Sequence, residues 1–135
     1  MPSGLDLARA ARDWLGAPWV HQGRVHAGCD CGGLVLGVAR SLGLTDAIVT
    51  GYGRIPFNGE LESVVAQHMT PVADPAPGDV ALIRFLRAPT HLAILTERDT
   101  IIHSYEPYGV IEHRLDHKWR GRVVSWWRWP GVMNG

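Results

Sequence analysis

Two cysteines and two strand histidines hold most of the chemistry this sequence can do. The stretch HAGCDCGGLVLGVARSLGL, starting at His26, contains both cysteines of the chain, Cys29 and Cys31, on either side of Asp30. A helix-like apolar run begins at Cys31. Backbone N–H groups in a helix's first turn are unpaired and partly positive, so they stabilise a thiolate, and the Cys31 thiol pKa is expected to fall. A cysteine so placed, with a base beside it, is a competent nucleophile. Cys29 precedes the helix, lacks that context and reads as a small packed residue. Gly32 and Gly33 lower helix propensity but leave room for a substrate to approach the first turn. Seven histidines compete for the role of base. His91 heads HLAIL, sharing a strand face with Ala93 and Leu95, and His103 lies in TIIHSY with Ile101 and Tyr105. A tight turn at Arg98-Asp99 is expected to bring the two imidazoles into register across an antiparallel ladder. One would take the thiol proton while the other orients it, as in nucleophile–base–orienter catalysis.

Other uses of these residues are weaker. A Cys29–Cys31 disulfide would close a very small, strained ring. His26, Cys29 and Cys31 are spaced more tightly than a structural zinc site, lack a fourth ligand and would consume the nucleophile. His113, Asp116 and His117 in HRLDH are a second partial ligand set, but His113 and His117 read as solvent-facing residues in or beside a strand. No metal or cofactor is expected. GYGRIPFNG holds a short Gly-x-Gly without the rest of a dinucleotide fingerprint.

The elements that must position Cys31 and the histidines fall into two blocks. Ser3 can cap a helix over residues 5–15, with Leu7, Ala11, Trp14 and Leu15 on a shared side, stopped by Gly16-Ala17-Pro18. A loop with His21, Gly23 and His26 leads to the second helix, where Cys31, Leu34, Val35, Val38 and Leu42 recur at helical spacing and Gly43 is the C′ residue. A third helix is expected after Asn58, with Leu61, Val64, Val65 and His68 on one face. The period then changes. A turn at Pro77-Gly78 opens a run of five strands, at residues 80–85, 90–97, 100–106, 109–115 and 121–129. Helices followed by strands with short connections give an α+β fold, N-terminal helices packed on an antiparallel sheet.

Size and charge narrow the function. The 135 residues fit one domain, residues 1–135. Lys plus Arg balance Asp plus Glu at 13 each, against a nucleic-acid binder relying on bulk charge. No apolar run has transmembrane length, so no membrane insertion is expected. The N-terminus lacks a basic region followed by an uninterrupted apolar core, so no signal peptide is expected and the chain is assigned to synthesis in the cytoplasm, where disulfides are rare. Six tryptophans are present, four of them from Trp119 to Trp129. They read as core and chain-end packing, with Trp126 or Trp129 as the alternative face for a partner protein.

Four ordered blocks, GCDCGGLVLGVAR, PAPGDVALIRF, THLAIL and IIHSY, resemble the NlpC/P60 cysteine peptidases. Within that family the chain is similar to the small single-domain enzymes of tailed phages and gene transfer agents, whose opening resembles ARDWLGAPWVHQGRVHAGCDCGGLV. The resemblance runs over about residues 5–127. It implies a papain-like α+β fold and cysteine endopeptidase activity on peptidoglycan stem peptides, typically at the γ-D-glutamyl to diamino-acid bond, without a cofactor. It implies Cys31 as nucleophile, His91 as base and His103 as the residue orienting the base. Asp30 matches the family aspartate that helps bind the free amine of the stem peptide. Trp19 stands where many members have a tyrosine in a Pro-Tyr pair, keeping the aromatic face without the hydroxyl, and so falls in the substrate-binding region. Gly32 replaces a frequent serine. The resemblance also implies delivery in a phage-like tail tip, docked on hub or baseplate proteins, to act on the bacterial wall. The alternative from another class is a structural tail component on the same fold with weak or lost catalysis.

Overall fold

The computed structural model describes residues 1–47, 60–86 and 88–133. Helix α1 (Gly4–Arg12) starts as expected at Ser3. The Ser3 hydroxyl accepts the Asp6 N–H at 3.1 Å and the Asp6 carboxylate accepts the Ser3 N–H at 2.9 Å, a reciprocal cap. The helix ends before residue 15. The N–H groups of Asp13, Trp14 and Leu15 turn to carbonyls three residues back, and Gly16, at φ +89°, turns the chain away. Trp14 is buried in the core, whereas Leu15 is exposed. A two-residue hairpin follows, β1 (Arg24–Val25) with β2 (Gly28–Cys29), too short to leave a periodic signal. Helix α2 (Cys31–Ser41) begins at Cys31, as its spacing predicts, and is buried along most of its length. Gly43 adopts φ +72°, the left-handed turn expected of a C′ residue. Helix α3 (Glu60–His68) presents Val65 to the core and packs Leu61 against it. GYGRIPFNG, residues 51–59, lies outside the described residues.

The strand block is β3 (Thr70–Val72), β4 (Val80–Arg84), β5 (Pro89–Leu95), β6 (Thr100–Tyr105), β7 (Gly109–Arg114) and, after the one-turn α4 (His117–Arg120), β8 (Val123–Arg128). They form one antiparallel sheet in the order β3-β8-β4-β5-β6-β7. The five expected strands are all present. The sixth, β3, is a short edge strand carrying Pro71, a residue tolerated where ladder donors are not needed.

Alternation along the strands divides the apolar side chains between two faces. Leu82, Leu92, Ile94 and Ile102 pack with Leu34, Val35 and Val38 of α2 and with Trp127 and Trp129. Ala81, Ile83, Ala93, Leu95 and Ile101 pack on the other face with Leu115, Trp119 and Trp126. The C-terminal tryptophans therefore serve packing, and Trp129, 3% exposed, is not a docking face. The buried Asp79 carboxylate takes both Nε and a terminal nitrogen of Arg128, at 2.8 and 2.7 Å, tying the turn before β4 to the end of β8. No helix among the described residues is long and apolar enough to cross a membrane.

Candidate active site

Cys31 is the first residue of α2 because Asp30 caps it. Asp30 Oδ1 accepts the Gly33 N–H at 2.8 Å, and Oδ2 accepts the Gln22 N–H at 2.8 Å, fastening the preceding loop to the helix start. Gly33 is needed for packing rather than for substrate approach. A Cβ there would lie 1.7 Å from the Gly23 carbonyl oxygen, whereas at Gly32 the nearest atom would be Asp30 Oδ1 at 3.9 Å. The room at the helix terminus is thus on the Gly32 side. Trp19 is half-buried, bridges to Cys29 and stacks on His21 at 6.4 Å between ring centres. His26 stacks instead on Trp14, at 4.1 Å.

The thiol of Cys31 meets the backbone N–H of Leu92. The β5–β6 ladder pairs only Ile94 with Ile102 and Leu95 with Ile101, so Leu92 has no β6 partner. The start of α2, which packs on both strands, supplies its thiol at this splayed end. That N–H belongs to the peptide that follows His91. The opposite result from the expected acidification is found at the thiol. Burial and then the Asp30 carboxylate push the Cys31 thiol up to about 12, and the N–H groups of Leu92, Gly32 and Cys31 offset this only in part. Cys29 is fully buried, and desolvation pushes its thiol up to about 11, the behaviour of an inert packed cysteine. Both cysteines are free.

The two expected imidazoles come together. His91 Nε2 lies 2.6 Å from His103 Nδ1. They are not paired residues: His91 faces Ile83 of β4, and His103 faces Ile111 of β7. They meet because both side chains project from the same sheet face where β5 and β6 diverge. Burial holds both neutral, lowering His91 to about 3 and His103 to about 2, with the neighbouring histidines adding to the effect. Phe85 at 5.3 Å from His91, and Tyr105 and Trp119 at 5.4 and 5.2 Å from His103, wall the pair from water.

Two contributors escape the sequence reading. Ser104 donates its hydroxyl to the Cys29 carbonyl at 2.7 Å, tying the residue after His103 to the loop before Cys31. His113 does not simply face solvent: it is half-buried, with Nε2 at 2.8 Å from His103 Nε2. His117 is exposed, as expected. The signal for His113 was the β6–β7 register. Pairing Tyr105 with Gly109 sets His103 opposite Ile111, two residues from His113 on the same face.

A sequence profile of the NlpC/P60 family matches residues 16–128. The chain belongs to the NlpC/P60 family. Among solved structures, it is similar to the NlpC/p60 domain of the peptidoglycan hydrolase SagA, at 21% identity and TM-score 0.65, covering 93% of this chain and 98% of that one. It is similar to an NlpC/P60 family protein from Bacillus cereus ATCC 10987, at 21% identity and TM-score 0.73, covering 95% of this chain and 40% of that one. NlpC1 from Trichomonas vaginalis matches at 18% identity and TM-score 0.70, over 93% of this chain and 44% of that one. The chain thus spans nearly all of the SagA domain and under half of the other two. No curated protein sequence matches it. These NlpC/P60 structures carry the same α+β architecture, helices against an antiparallel sheet.

Proposed function

We propose that this NlpC/P60 domain is a cysteine endopeptidase that hydrolyses peptidoglycan stem peptides, at the γ-D-glutamyl to diamino-acid bond. The observation that carries the reading is Cys31 at a helix N-terminus that packs on β5, the strand carrying His91, whose ring is hydrogen-bonded to His103. The SagA domain, named as part of a peptidoglycan hydrolase, supports the substrate class.

In this reading the resting pair is a neutral thiol and a neutral imidazole. His91 takes the Cys31 proton as sulfur attacks the scissile carbonyl. The Cys31 backbone N–H, at the start of α2, stabilises the oxyanion. The His91 imidazolium then protonates the leaving amine, and water activated by His91 releases the acyl group from sulfur. Asp30 is fixed at the helix start by backbone N–H groups on both oxygens, and its charge attracts the free amine of a stem peptide. Trp19 offers its indole face along the same loop. Alkylation of Cys31 with iodoacetamide abolishes release of peptide from stem-peptide fragments if this is right, and leaves release intact if it is wrong.

Delivery in a phage-like tail tip, docked on hub or baseplate proteins, is the finer part of the proposal. It rests on the resemblance of residues 5–127 to the phage and gene-transfer-agent branch. Mass spectrometry of purified particles detects the chain if this holds, and particles without any copy overturn it. A structural role with weak catalysis is favoured by one observation, the upward push on the Cys31 thiol. A thiol no more reactive than a buried cysteine, together with no hydrolysis, would establish that second reading.

A further inference from the structure

The two histidines of the site continue into a third. His91 Nε2 meets His103 Nδ1 at 2.6 Å, His103 Nε2 meets His113 Nε2 at 2.8 Å, and His113 Nδ1 meets the Arg114 carbonyl at 3.0 Å. A carbonyl only accepts, so a neutral His113 carries its proton on Nδ1 and presents a bare Nε2. His103 must then donate from Nε2, which leaves its Nδ1 bare. His91 must in turn donate from Nε2, which leaves His91 Nδ1 bare. One backbone carbonyl therefore fixes the protons of three rings.

Nδ1 is the ring nitrogen of His91 that the contact with His103 leaves over, in a residue 5% exposed. The His91–His103 contact is buried and the His103–His113 contact partly so, while the anchoring His113–Arg114 bond lies at the exposed end. Trp119 lies 4.9 Å from His113, and Arg122 covers the Trp119 and Phe85 rings at 5.3 and 5.6 Å.

We propose that His113 is a positioning residue of this site: anchored on the Arg114 carbonyl, it sets the tautomer of His103 and through it that of His91, leaving His91 Nδ1 as the bare nitrogen that takes the Cys31 proton. The inference rests on the peptidase reading for its purpose, but its geometry is independent of that reading. The proton moves from Cys31 Sγ to His91 Nδ1 and later to the leaving amine. The Nε2–H of His91 stays donated to His103 throughout, so no proton enters or leaves the relay. Without the His113 acceptor, His103 can hold its proton on either nitrogen, and a fraction of His91 is driven to the tautomer with a protonated, useless Nδ1.

The test is a long-range proton–nitrogen correlation spectrum of the full nitrogen-15-labelled chain, wild type against His113→Leu and His113→Gln. In wild type, His91 is expected to show a bare Nδ1 and a protonated Nε2. His113→Leu keeps bulk without an acceptor, so the His91 tautomers are expected to mix. On γ-D-glutamyl stem-peptide fragments, kcat is expected to fall roughly three- to tenfold, the worth of one hydrogen bond, with KM unchanged. His113→Gln returns an acceptor and is expected to restore both. A proton on His91 Nδ1 in wild type overturns the proposal even if no variant folds, and so does a folded His113→Leu with an unaltered His91 tautomer. A wild type that shows the expected tautomers but cuts no fragment refutes the peptidase reading and not the relay.

Discussion

Replacing Asp30 by Asn separates the two jobs of one carboxylate. As a cap, Asp30 accepts two backbone N–H groups, from Gly33 and Gln22, both at 2.8 Å. Asn caps helices about as well as Asp, so α2 should keep its start. Asn has a single acceptor oxygen, so the Gly33 cap bond falls from about 1.5–3 kcal/mol to about 0.5–1.5, while the Gln22 N–H meets the amide NH2 and its bond is lost, a total loss of about 3.5 kcal/mol. With unfolding entropy of about 2.1 cal/mol/K per residue over 135 residues, that lowers Tm by about 12 °C. As a charge, Asp30 raises the Cys31 thiol, second only to burial. Its removal should move the thiol down and make Cys31 more reactive. Each unit of fall gives about tenfold more thiolate and about threefold lower intrinsic nucleophilicity, a net gain of about threefold. The assay is the rate of iodoacetamide alkylation at pH 7 to 8 on folded protein, with thermal unfolding alongside. A less stable protein with a faster thiol is expected. Alkylation unchanged or slower in a folded Asp30→Asn would refute the electrostatic account of Cys31.

Arg128→Met leaves the Asp79 carboxylate, 1% exposed, buried without its cation, and should cost about 3–5 kcal/mol in urea unfolding. Gly33→Ala forces a Cβ against the Gly23 carbonyl and should lose about 1–3 kcal/mol together with activity, while Gly32→Ala, facing open space, should be neutral or gain up to about 1 kcal/mol from helix propensity. The same unfolding assay on both variants checks the contrast. His91 and His103 are held near 3 and 2, below the ordinary 6.5, so the unfolded chain binds protons first. Their contribution to stability is complete above about pH 6.5 and is lost as pH falls toward the folded values. The urea midpoint should therefore decline from pH 7 to pH 5, before Glu97 and Glu112, whose carboxyls lie below the usual range, begin to titrate. A midpoint flat over that interval would contradict neutral burial of the two histidines.

Much of this architecture is legible in residue order. The period change after residue 70 fixes the α+β class, the Ser3 and Asp30 caps mark two helix starts, and HLAIL and TIIHSY place two histidines on one sheet face. What escapes depends on geometry that spacing does not encode. β3 is too short and too exposed to alternate. Helix α1 stops early because its last N–H groups bond three residues back. The thiol moves up rather than down because burial outweighs the helix N-terminus and the Asp30 carboxylate beside it adds to the push. His113 looked solvent-facing because the β6–β7 register that sets it beside His103 depends on the turn between the strands.

The most direct measurement is mass spectrometry of purified peptidoglycan fragments incubated with wild type and with Cys31→Ala. Cleavage after D-glutamate by wild type and not by Cys31→Ala is the predicted result. Equal cleavage by both, or none by wild type on fragments of several wall types, would contradict the assignment of Cys31 as the nucleophile of a stem-peptide hydrolase.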